Sequence, residues 1–133
     1  MARSLIQTVN QSNQTVAVNS IIGLGSTQRR FGCNCRLSGN AIEIEGAGYY
    51  TIDANVSITP TAAGAITIAL FENGVQIPGA IAFTTGAAGV PEAVYIGTTV
   101  REGCNCDGAS SITAVVIAGP GVVNNISVRV IKL

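Results

Sequence analysis

The amino-acid sequence predicts an all-β fold, an antiparallel β-sandwich or jelly roll of about nine to ten strands, and three observations carry that prediction. Segments such as 41–45, 65–71 and 111–117 alternate apolar and polar residues, the period that lines one face of a strand. These segments are rich in Val, Ile and Thr and are broken every 8 to 12 residues by Gly, Asn or Pro. No window carries a helical period. Without crossover helices, neighbouring strands must pair antiparallel, and two stacked sheets bury the alternating faces most economically.

In chain order, residues 3–9 alternate and open the fold as a strand, and 15–22 read as a second. Residues 23–30 read as a loop with the densest positive charge in the chain, and 31–37 alternate loosely. Ser38-Gly39-Asn40 is a tight-turn signal into the strand at 41–45. Gly46-Ala47-Gly48 turns the chain into the longest strand, 49–59. Pro60 to Gly64 closes it, and 65–71 follows. Asn73-Gly74 tolerates the positive φ of a primed hairpin turn, so 76–85 returns beside 65–71, bent at Pro78-Gly79. A small-residue loop at 86–91 precedes a strand at 93–101. A loop at 103–109, a strand at 111–117, a turn at 118–121 and a last strand at 123–133 complete the chain.

Composition bounds the function. The 133 residues suit one domain with a self-sufficient core. Hydrophobic residues make up 47% and charged residues only 11%, against a usual charged share of about 25%. So little charge leaves a weakly solvated surface, which points to contact with identical neighbours or a larger assembly. Net charge is zero and Trp is absent, so both the electrostatic and the stacking terms of nucleic-acid binding are missing. No apolar run approaches the roughly 20 residues of a membrane span. The first ten residues lack the apolar core of a signal peptide, so synthesis and retention in the cytoplasm are expected.

Few side chains carry chemistry. There is no His, which removes imidazole-based triads and His-ligated metal, and an enzyme is not expected. Glu43 and Glu45 share one strand face and read as its solvated side. Asp53 lies among small and apolar residues and could partner Arg101 or Arg129. Arg29 and Arg30 could meet an acidic surface or phosphate, but read more simply as an interfacial or strand-end pair bridged to Glu72 or Glu102 in the same or a neighbouring subunit. Two Cys-Asn-Cys motifs leave three readings open. Cys33, Cys35, Cys104 and Cys106 could form disulfides, within the chain or between subunits. They could bind zinc, although one-residue spacing departs from the usual Cys-x2-Cys. They could also stay reduced, as in a cytoplasmic protein. No cofactor is expected.

Two stretches are more specific. Gly46-Ala-Gly-Tyr-Tyr-Thr-Ile-Asp-Ala-Asn-Val-Ser-Ile58 resembles a strand of the tumour-necrosis-factor and complement globular-head jelly rolls. Residues 65–80, with Glu72-Asn73-Gly74 at their centre, resemble a hairpin of the bacterial relatives, including heads of spore-surface collagen-like glycoproteins. Arg29 to Cys33, Leu37 to Ile42 and Val122 to Ile126 resemble segments of small proteins from phages and prophages of Gram-positive bacteria. The resemblance implies a homotrimer and a virion role, as capsid decoration or head fibre, with the major capsid protein as partner. Family heads on a collagen-like stalk carry Gly-x-y repeats upstream and this chain has none; its residues 1–20 are instead expected to form an arm or first strands that dock or exchange, ahead of a jelly-roll domain at 21–133.

The expected function is therefore structural: a trimer on the capsid surface of a virion that stabilises the shell. A cell-surface or glycan-binding head and a spore-surface component are the alternatives. Outward residues of 49–59, 92–101 and 123–133 are the expected contact positions. Tyr49, Tyr50, Phe71, Phe83 and Tyr95 are the candidate anchors, for the core or for an interface, because aromatics dominate both.

Overall fold

The computed structural model describes residues 3–103 and 110–133. Among the described residues there are eleven strands: β1 (Ser4–Asn10), β2 (Gln14–Val16), β3 (Ser26–Phe31), β4 (Cys35–Ser38), β5 (Ala41–Ile44), β6 (Gly48–Pro60), β7 (Gly64–Glu72), β8 (Val75–Gly86), β9 (Glu92–Glu102), β10 (Ser110–Ala118) and β11 (Gly121–Lys132). They form a six-stranded sheet in the order β3-β1-β11-β6-β9, with β2 also on β11, and a five-stranded sheet in the order β4-β5-β10-β7-β8. Every pairing is antiparallel. The predicted sandwich is the observed one.

Alternation explains how the two sheets close on one another. Along β6, Tyr50, Ile52, Ala54, Val56 and Ile58 are buried, while the residues between them lie at the outer face. Ile66, Ile68 and Leu70 of β7 and Ile112, Ala114 and Val116 of β10 complete the same core from the second sheet. Each fully buried Ile or Leu contributes roughly 1.5–3 kcal/mol relative to exposure, so this one layer dominates stability. The β7–β8 hairpin turns at Asn73 and Gly74, with φ of 52° and 82°. Both values lie in the left-handed region a type I′ turn requires, as the Asn-Gly pair predicted.

Several expectations need correction. Residues 23–30, expected as a loop, contain most of β3. All six of its residues are exposed, so it needs no apolar alternation and leaves no period to read. Gly25 and Gly32, both at φ 79°, bracket it. The expected strand at 15–22 is interrupted at Asn19, whose φ is 67°. Before it, β2 pairs with β11. After it, Ile22 N donates to Ala114 O at 2.8 Å and Ile21 bridges Val115, so the chain passes from one sheet to the other here. The loose strand at 31–37 shortens to β4. Residues 4–10 are paired on both sides, by β11 and β3, within the six-stranded sheet.

Candidate functional site

The three strands expected to supply contacts, at 49–59, 92–101 and 123–133, are neighbours: β11, β6 and β9 lie side by side in the six-stranded sheet. Cross-strand partners share a face, so the register assigns the outer surface directly. Gly97, Asp53, Arg129 and Gln7 form one row across it, and Tyr95, Asn55 and Ser127 form the next.

At the meeting of those rows lies a polar dimple of about 110 Å³ lined by Gln7, Asp53, Asn55, Tyr95, Ser127 and Arg129. The Tyr95 hydroxyl donates to Asp53 Oδ1 at 2.5 Å, and Arg129 Nη2 donates to Asp53 Oδ2 at 2.9 Å. Of the two partners considered for Asp53, the structure selects Arg129. The bonds from Tyr95 and Arg129 hold the Asp53 carboxyl below its ordinary value, and the bond to Asp53 raises the Tyr95 phenol. Gly97 makes the first bond possible. A Cβ there would sit 2.8 Å from the Tyr95 hydroxyl and 3.3 Å from two ring carbons. Lacking one, residue 97 lets the ring lie across the strand and reach its diagonal neighbour. Sequence reasoning did not find this constellation. The available signal was Tyr95-x-Gly97, two residues on one strand face beside an already noted acid.

The aromatic candidates separate. Tyr50 is fully buried, and its hydroxyl donates to Gly46 O at 2.8 Å and Glu45 O at 3.1 Å. Burial pushes its phenol up to about 12. Phe71 is half-buried. Tyr49, Phe83 and Tyr95 are 54%, 73% and 59% exposed, so they are not core anchors. Each occupies an outward position in its strand. Tyr49 and Tyr95 lie on the six-stranded sheet and Phe83 on the five-stranded sheet.

The remaining candidates fall elsewhere. Cys33 is exposed and Cys35 is buried, and both are free thiols. Of the three readings left open for the cysteines, no disulfide within the chain forms at these two positions. Burial pushes the Cys35 thiol up to about 11, away from the thiolate that disulfide chemistry needs. Cys104 and Cys106 lie outside the described residues. Among the described residues no group of three His, Cys, Asp or Glu side chains converges as a metal site would require.

Glu43 and Glu45 flank Arg36, at 2.6 Å and 4.0 Å. Among the described residues of one chain, neither Arg29 nor Arg30 bridges Glu72 or Glu102; Arg30 Nε donates to Cys35 O at 2.8 Å instead. Glu72 and Glu102 face each other where β7 of one sheet meets β9 of the other. Ser110 Oγ donates to Glu102 Oε1 at 2.6 Å. The hydrogen bond shared with Glu102, followed by burial and the Glu102 charge, pushes the Glu72 carboxyl up to about 7.

No protein-family model matches this chain, and no curated protein sequence matches it. Solved structures do. Murine APRIL, crystallised at pH 5.0, is 10% identical with a TM-score of 0.76, covering 98% of this chain and 99% of that one. The globular domain of zebrafish complement 1qA is 10% identical with a TM-score of 0.72, covering 97% and 95%. PRD1 vertex protein P5 is 12% identical with a TM-score of 0.64, covering 98% and 96%. At such identities the likeness is one of fold, and that fold is the jelly roll of the tumour-necrosis-factor and complement globular heads.

Proposed function

We propose that this protein is a structural, self-associating jelly roll: a homotrimer that seats on the outside of a phage head and stabilises the shell. The observation that carries the reading is the kind of side chain left at the surface. Phe31, Tyr49, Val75, Phe83, Tyr95 and Leu133 are each more than half exposed in a chain with 11% charged residues. Apolar side chains gathered on one exposed face mark a contact surface. Phe31, Tyr49, Tyr95 and Leu133 belong to the six-stranded sheet or follow directly from it, and half-buried Leu5, Val9 and Ile131 lie on the same outer face. Copies that meet through this face bury those residues together.

The likeness of fold to a virion vertex protein supports a place on a particle, with the major capsid protein as partner. The mechanism is thermodynamic. A trimer that binds assembled shell and not free capsid subunits stabilises the shell by mass action. Neither a nucleic acid nor a membrane is required.

Mass spectrometry of particles purified from a lysate of the organism that carries the gene tests the virion role. The chain is expected in intact particles in fixed proportion to the major capsid protein. Its absence from them, with the chain present in the same lysate, overturns the role.

A further inference from the structure

Among the described residues, the outer face of the six-stranded sheet carries one side-chain carboxylate, Asp53, and it is already spoken for. Asp53 takes a proton-donating bond from Tyr95 on one side and from Arg129 on the other, which ties β9, β6 and β11 together above the sheet. The network neutralises itself. A buried ion pair is tolerable when its lone pairs and protons are satisfied, and costly when one partner is left alone. The centre of this face can therefore lose water without stranding a charge. Arg29 on β3 and Arg101 near the end of β9 stand at the rim, where water still reaches them.

We infer that the Tyr95–Asp53–Arg129 network is the polar key of self-association, fixing how the outer face of one copy seats against a second copy of this chain. The inference rests on the self-associating reading and goes beyond it by naming the residues that set geometry. Three features of the network argue for a second copy as the occupant. Its charges cancel, so an identical surface meets no net repulsion at the centre. Gln7, Asn55 and Ser127 around the dimple offer both donors and acceptors, so polar groups that a second copy brings there can be satisfied. Tyr95, drawn flat over Gly97, offers a rigid aromatic surface whose ordering cost is met before association. A polar network at the heart of an apolar face sets register and partner more than it sets raw affinity.

The test compares Tyr95→Phe and Asp53→Asn with the wild-type chain by sedimentation equilibrium over a wide concentration range. Far-UV circular dichroism of each sample monitors the fold. Tyr95→Phe removes one charge-assisted hydrogen bond from an exposed side chain, so its fold is retained. Its dissociation constant is expected to rise about tenfold or more. Asp53→Asn leaves Arg129 uncompensated at the contact and is expected to weaken association further. If wild-type chains associate and Tyr95→Phe associates equally well, the network is not the key, although self-association stands. If wild-type chains do not associate, both readings fall. Should the wild-type protein bind immobilised saccharides through a site abolished by Tyr95→Phe while remaining monomeric, the dimple's occupant is a glycan and the inference is overturned.

Discussion

Replacing Glu72 with Gln is expected to stabilise the protein at alkaline pH and leave it unchanged in acid. Glu72 closes β7 in one sheet, Glu102 lies near the end of β9 in the other, and Ser110 Oγ and Asn73 Nδ2 complete the group. Two carboxylates so placed hold one proton between them, which raises the Glu72 carboxyl from 4.5 to about 7. A group raised on folding contributes stability that is fully present below its unfolded value. That contribution declines as pH climbs from about 4.5 and is gone above about 7. At about 1.4 kcal/mol per pH unit, the interval sets a ceiling of about 3 kcal/mol. Water reaching the half-buried Glu72 reduces the expectation to about 1–2 kcal/mol. Glutamine keeps a donor towards Glu102 at every pH. Urea unfolding of both proteins between pH 4 and pH 8.5 provides the assay. The two midpoints should coincide at the acid end and separate with rising pH, the variant being the more stable. A difference that does not change with pH refutes the shared proton. Asp53, held low by Tyr95 and Arg129, contributes with the opposite sign: its stabilisation is present at neutral pH and lost only in acid. It is common to both proteins and cancels in the comparison.

Thr8 is fully buried on β1, and its hydroxyl finds no partner among the described residues. Thr8→Val, nearly the same shape, should raise the urea midpoint by the equivalent of about 1 kcal/mol; a loss of stability would reveal a hydrogen bond at that hydroxyl. Native alkylation at pH 8, read by peptide mass spectrometry, should modify exposed Cys33 and spare Cys35 until the protein is denatured. With the Cys35 thiol at about 11, only about a thousandth is thiolate at that pH. Equal rates at the two cysteines would contradict its burial.

What could be read from the sequence follows from what burial imposes on it. β6 and the β7–β8 hairpin were legible because one face of each is buried and the turn residues have few conformational alternatives. β3 was not, since a strand exposed on both faces has no period. The split of 15–22 depends on one Asn in a left-handed conformation, which Asn permits but does not announce.

Among the aromatics, parity was the usable clue. Tyr50 is in step with Ile52, Ala54 and Val56, whereas Tyr95 is out of step with Val94 and Ile96, and the structure buries the first and exposes the second. The Tyr95–Asp53–Arg129 network joins three strands whose adjacency is a matter of topology, so no spacing in the sequence encodes it. The Glu72–Glu102 pair escaped for the same reason, because its members belong to different sheets.

The most direct measurement of whether copies of this chain join through their sheet faces is solution mass by light scattering from nanomolar to micromolar concentration. Three times the 13.5 kDa of one chain at the upper end is the predicted result. A particle of 13.5 kDa at every concentration would contradict it.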